Sequence, residues 1–134
     1  MKRHGRSYQL ASEECDALFQ AAEKAFAHTY PTARDGYAVA CLTRSGTVYA
    51  GVSYRSATET LTMHSEATAL ANAAIHGETD IVAITGPNCH ICKQLIYESG
   101  LQSGIDVTVI IKEEGVVKQI PISQLMPYPW PEAV

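Results

Sequence analysis

A chain of 134 residues, 46% hydrophobic and 18% charged, can bury one core without the help of disulfides and is too apolar for a disordered segment. Its formal net charge of −4 counts against nucleic acid or an anionic membrane as the main partner, since phosphate surfaces demand clustered Lys and Arg. No apolar run reaches the ~18 residues of a transmembrane helix, and the opening MKRHGRSYQLASEEC has basic residues with no apolar stretch behind them, which is not a secretory signal. The expected compartment is the cytoplasm, where thiols stay reduced.

With no repeat, low-complexity tract or linker, residues 1–134 read as one domain, residues 1–11 being a flexible tail that carries Lys2, Arg3 and Arg6 into solvent. Ser12 is a plausible N-cap for a helix whose Cys15, Leu18, Phe19, Ala22 and Phe26 share a face, with acids in the first turn. GYAVACLT and TVYAGVSY are β-prone runs that RSG separates, the pattern of a hairpin. SEATALANAAIHG is a helix stopped by Gly77, and DIVAITG a short buried strand. CHICKQLIYESG reads as a helix ending at Gly100, before the buried strand DVTVIIK, a turn and edge strand in EEGVVKQIP, and a helical turn and Pro-rich tail in ISQLMPYPWP. The fold expected is α/β: a three-layer arrangement with a mixed five-stranded sheet and helices on both faces.

Two chemical clusters fall at helix starts that follow strands. His64 and Glu66 precede the Ala-rich helix, and Cys89 and Cys92 sit on the first turn of the next one. Residues three apart on a helix face one point, and helix N-termini favour thiolates. Alone, C-x-x-C fits a redox dithiol, half of a structural zinc knuckle or two ligands of a catalytic metal. Joined to H-x-E 25 residues upstream of Cys89, it reads as an open zinc site with His64, Cys89 and Cys92 as ligands. Three protein ligands leave a fourth position for water, whose pKa zinc lowers toward ~7. Glu66 is then the general acid/base. His90, His76, His28 and His4 read as bystanders, and Cys15 and Cys41 as inert thiols.

H-x-E…P-C-x-x-C is a signature of zinc deaminases, and HSE with CHICKQ resembles it. The chain resembles the small cytidine deaminases more closely, including their relatives acting on blasticidin S, over roughly residues 12 to 130. QLMPYPW stands where that family ends in Leu-Leu-Pro with an aromatic downstream, Trp130 being the candidate here, and LTRSGTVYAG matches its L-T-x-x-G-x-x-x-x-G hairpin. The resemblance implies a zinc-dependent deaminase of a cytidine-like nucleoside, free base or nucleoside-like small molecule, releasing ammonia. It also implies a homotetramer or dimer, and a backbone N–H at Ser65 that holds the substrate's ring carbonyl. A non-catalytic, zinc-stabilised binding protein of the same fold is the alternative; a polynucleotide deaminase is disfavoured by the acidic charge.

The departures from the family concern the substrate. Counted back from His64, the family's ribose-binding Asn and Glu fall on Ser53 and Arg55, so a hydroxyl acceptor has become a guanidinium that only donates. A ligand with a carboxylate or phosphate would suit Arg55, and a surface or subunit-interface role suits it equally. The family's stacking Phe falls near Asp35, with Tyr37 as a substitute. Asn88 separates Pro87 from Cys89, which puts Asn88 on the loop expected to carry substrate contacts.

Overall fold

In the computed structural model, residues 1–31 and 35–133 are described, and the first three residues of TARDGYAV lie outside the described residues. One mixed sheet of five strands forms the middle layer, in the order β4-β3-β5-β6-β7. Its members are β3 (Ala38–Thr43), β4 (Val48–Val52), β5 (Ile81–Thr85), β6 (Thr108–Glu113) and β7 (Val116–Pro121). The β3–β4 hairpin pairs antiparallel from Ala38↔Val52 to Leu42↔Val48, as the turn residues RSG predict. β5 runs antiparallel to β3 and parallel to β6, and β6 antiparallel to β7. All five residues of β5 are buried, which is why DIVAITG shows no polar alternation: a central strand covered on both faces has no solvent side.

Among the described residues, three helices cover the sheet. α1 (Ser12–Ala25) and α2 (Ser65–Ile75) both pack on the β3–β4 hairpin, and α3 (His90–Ser103) makes the crossover from β5 to β6. Leu18, Ile84, Ile96, Val109 and Ile110 are at most 1% exposed and anchor the core. Each such side chain contributes on the order of 1.5–3 kcal/mol of burial.

Local details depart from the sequence pattern in three places. The α1 cap is Ala11 rather than Ser12, and the Glu14 carboxylate accepts from the Ala11 N–H at 2.9 Å. α3 continues through Gly100 to Ser103 and ends on Gly104, which is left-handed with φ of 74°. Gly100 is not a stop but a contact: a Cβ there would lie 2.4 Å from the Ile105 carbonyl oxygen, so only glycine lets the helix pass the returning chain.

The third departure is residues 1–11, which are not a loose tail. β1 (Lys2–His4) and β2 (Ser7–Gln9) form a small antiparallel hairpin. The Asp106 N–H donates to the Arg6 carbonyl (2.8 Å), and Thr108 Oγ1 to the Tyr8 carbonyl (2.7 Å). The Gln119 amide brackets Leu10, accepting from its N–H at 2.8 Å and donating to its carbonyl at 2.9 Å. Leu10 is 4% exposed. These partners lie about 100 residues away in sequence, so no local pattern announces them. Lys2 and Arg3 remain exposed.

Candidate active site

The chemical residues meet at the C-terminal end of β5 and the start of α2, where loops leave the sheet and two helix N-termini converge. His64 is the N-cap of α2, with Ser65 and Glu66 its first two residues. Cys89 is the N-cap of α3, and its sulfur accepts from the Cys92 N–H at 3.5 Å. Both caps have extended backbone, which turns their side chains back over the helix ends.

His64 Nδ1 lies 3.5 Å from Cys89 Sγ and 3.2 Å from Cys92 Sγ, and the three candidate ligand atoms all lie within 4.8 Å of one another. Zinc–sulfur bonds of ~2.3 Å and zinc–nitrogen bonds of ~2.0–2.1 Å at tetrahedral angles put such atoms about 3.6 Å apart. One nitrogen and two sulfurs at this spacing fit a tetrahedral cation with one position left over. Burial, and then the neighbouring Glu66 carboxylate, push the Cys92 thiol well above its ordinary range. A cation among these groups supplies the charge that would let it ionise. His90, exposed on the outside of α3, is not among the three.

Glu66 is 6% exposed and lines the adjoining cavity of about 500 Å³ together with His64, Ser65 and Cys89. Its carboxylate is gripped at both oxygens: Ser65 Oγ donates to Oε1 at 2.9 Å, and Asn88 Nδ2 to Oε2 at 2.7 Å. The Ser65 N–H lies in the first turn of α2, where no intrahelical acceptor exists. Ser65 is among the residues that line the cavity, and an N–H in a helix's first turn is polarised toward acceptors.

The wall of the cavity contains Ser53 and Arg55, and also Tyr37, Glu59 and Met63. Ser53 is buried, and its hydroxyl accepts from the Tyr37 N–H at 3.0 Å, pinning that loop beside the cavity. Arg55 is exposed, and its Nη2 donates to the Asp35 carbonyl at 3.2 Å. Of the two aromatic candidates, Tyr37 lines the cavity. Trp130 is 79% exposed and does not; its carbonyl accepts from Gln94 Nε2, so Gln94 serves to fasten the C-terminal tail. Glu59 was missed because it sits in a short 3-10 turn (Glu59–Leu61) with no periodic signal.

Asn88 differs from expectation. It is 8% exposed and absent from the cavity lining, because its amide turns inward onto Glu66 and, at 3.1 Å, onto the Thr85 carbonyl. Its Oδ1 has no donor among the described residues. That oxygen sits beside Gly86, where a Cβ would come within 2.8 Å of it and 2.6 Å of Val109 Cγ1. A buried acceptor without a partner costs on the order of 1–3 kcal/mol.

The model of the cytidine and deoxycytidylate deaminase zinc-binding region matches residues 12–108, well over half of the sequence. The chain belongs to that family. Among solved structures it is similar to a cytidine deaminase from Burkholderia pseudomallei, with 22% identity and a TM-score of 0.73 over 90% of this chain and 100% of that one. A cytidine deaminase from Mycobacterium tuberculosis gives 19% and 0.71 over 86% and 95%, and one from Mycobacterium leprae 25% and 0.67 over 84% and 96%. Among curated proteins no significant sequence match is found. Likeness at this level of identity establishes the mixed-sheet fold. Among the described residues no helix is long and apolar enough to cross a membrane.

Proposed function

We propose that the protein is a zinc-dependent hydrolase that deaminates a cytidine-like nucleoside, a free base or a nucleoside-like small molecule. The observation that carries this reading is a three-ligand cluster opening onto a cavity of about 500 Å³ with the Glu66 carboxylate in its wall. A merely structural metal site has no use for a buried carboxylate at its open side. His64, Cys89 and Cys92 would hold the ion, which when bound supplies the Lewis acidity that makes water a nucleophile near neutral pH.

The chain's own residues do the rest. Glu66 takes a proton from the attacking water and delivers it to the ring, and then assists the departure of ammonia. Water and an amino-substituted ring carbon thus become an oxo-substituted carbon and ammonia. The Ser65 N–H would hold the substrate's ring carbonyl, and Tyr37, in the cavity wall, would offer a face for stacking. Arg55 and Glu59 put one cation and one carboxylate in the wall, so substituents that hydrogen-bond or carry charge set specificity there. The acidic chain disfavours polynucleotides. The reading includes a cytoplasmic protein assembled as a homo-oligomer.

The test combines metal and product. About one zinc per chain is expected, lost in Cys89→Ser or His64→Ala and kept in Glu66→Ala. Ammonia release is measured over aminated pyrimidines, purines and pterins, with and without carboxylate or phosphate substituents, and Glu66→Ala is expected to lower it by roughly 10²–10⁴-fold. Zinc surviving Cys89→Ser at full affinity overturns the ligand set. Zinc that is bound and needed for folding, with no substrate turned over, makes the site structural and the protein a binding module.

A further inference from the structure

We propose that Asn88 is a positioning residue for Glu66, holding the carboxylate at the angle its proton transfers require; this rests on the deaminase reading above. Both protons of the Asn88 amide are committed, one to Glu66 Oε2 at 2.7 Å and one to the Thr85 carbonyl at 3.1 Å. These two acceptors fix which way the amide lies. Turned over, it would set Oδ1 against a carboxylate and a carbonyl with no hydrogen between them. Among the described residues Oδ1 is instead left buried without a donor. An Asn that served only to fill space at this point would be a poor choice, since any small apolar residue would avoid the orphaned acceptor. What singles Asn88 out is the work of its nitrogen.

The contact also joins the two halves of the site. Thr85 is the last residue of β5, Glu66 lies in the first turn of α2, and Asn88 immediately precedes Cys89 at the cap of α3. One side chain therefore ties the group that moves protons to the strand end and to the loop bearing a candidate ligand. With Ser65 Oγ on Oε1 and Asn88 on Oε2, the carboxylate is held from both sides. Each oxygen keeps a further lone pair for water or substrate. Asn88 does not line the cavity, so its influence on substrate passes through Glu66.

Kinetics on the best substrate of the panel above, zinc content and side-chain amide NMR test this together. Asn88→Ala is expected to lower kcat roughly 10- to 100-fold, the usual cost of removing a group that orients an active-site residue. KM should change less than about 3-fold, as for an interaction made mainly in the transition state, with about one zinc per chain retained. On a Glu66→Ala background the same change should cost less than about 2-fold, because coupled groups are not additive; a residue that merely stabilises the fold would cost as much on either background. In the unsubstituted protein, the amide proton pair missing from Asn88→Asp should shift in Glu66→Gln. An unchanged kcat, a loss confined to KM, or an amide pair indifferent to Glu66→Gln overturns the proposal. If no panel compound is turned over, the deaminase reading fails and Asn88 has no catalytic role, and the amide pair then decides only whether it holds Glu66.

Discussion

Adding one methyl group at Gly51 probes how the fold sets the site. Gly51 is buried in β4, under the first turns of α2. A Cβ there would meet the Ala69 nitrogen at 2.1 Å, the Ser65 carbonyl oxygen at 2.3 Å and Ala69 Cα at 2.6 Å, all of them backbone. No side chain can swing aside, so α2 must retreat by about 1.3 Å to restore ordinary contact at 3.4 Å. The helix start that retreats carries His64, Ser65 and Glu66, while Cys89 and Cys92 stay with α3. Overpacking of this kind costs on the order of 1–3 kcal/mol. At this chain length that lowers the Tm of Gly51→Ala by about 5–10 °C. A displacement of ~1 Å between reacting groups can remove 10²-fold of activity, and zinc should be surrendered to a chelator at lower concentration. Thermal melts followed by circular dichroism, with zinc titrated against a competing chelator, read both effects. A Gly51→Ala protein that melts within about 1 °C of its parent and holds zinc equally well would refute the idea that this close approach positions α2.

Glu78 accepts from Tyr49 Oη at 2.6 Å, from Thr43 Oγ1 at 2.9 Å and from Ser45 Oγ, and these hydroxyls, Ser45 first, hold its carboxyl down at about 2. Its folded value lies below the ordinary 4.5, so its contribution to stability is present above that pH and is lost as pH falls toward about 2; Glu78→Gln should flatten this part of the Tm–pH curve, and an unaltered curve would contradict it. Cys15 and Cys41 are buried, and burial pushes the Cys41 thiol up to about 12. In chelator-treated but folded protein, alkylation followed by mass spectrometry should therefore label exposed Cys89 first and leave Cys15 and Cys41 unmodified until unfolding; early labelling of Cys41 would count against the core placement.

Much of this molecule is written in local pattern. Two β-prone runs separated by the turn residues RSG mark the β3–β4 hairpin, and an unbroken apolar run marks β5, because residue type and turn chemistry act locally on the backbone. H-x-E and C-x-x-C each start a helix, so sequence alone brings His64 beside Glu66 and Cys89 beside Cys92. That His64, Cys89 and Cys92 come within 4.8 Å of one another is the work of the sheet, which brings the two helix starts together. Gly100 misled because glycine has two uses, helix stop and close approach, and only the position of Ile105 tells them apart. The docked hairpin of residues 2–9 was invisible because its partners, Asp106, Thr108 and Gln119, are distant in sequence.

Sequence by itself thus determined the chemistry-bearing groups and their order along the chain, since those depend on residue type and helical spacing. Tertiary structure decided where the neighbouring side chains aim. Asn88 sits next to a candidate ligand in either description, but whether its amide faces the cavity or Glu66 depends on a strand end and a helix start that meet only when the sheet closes. Tyr37 rather than Trp130 lines the cavity for the same reason: packing, not proximity in sequence, brings a ring to the site.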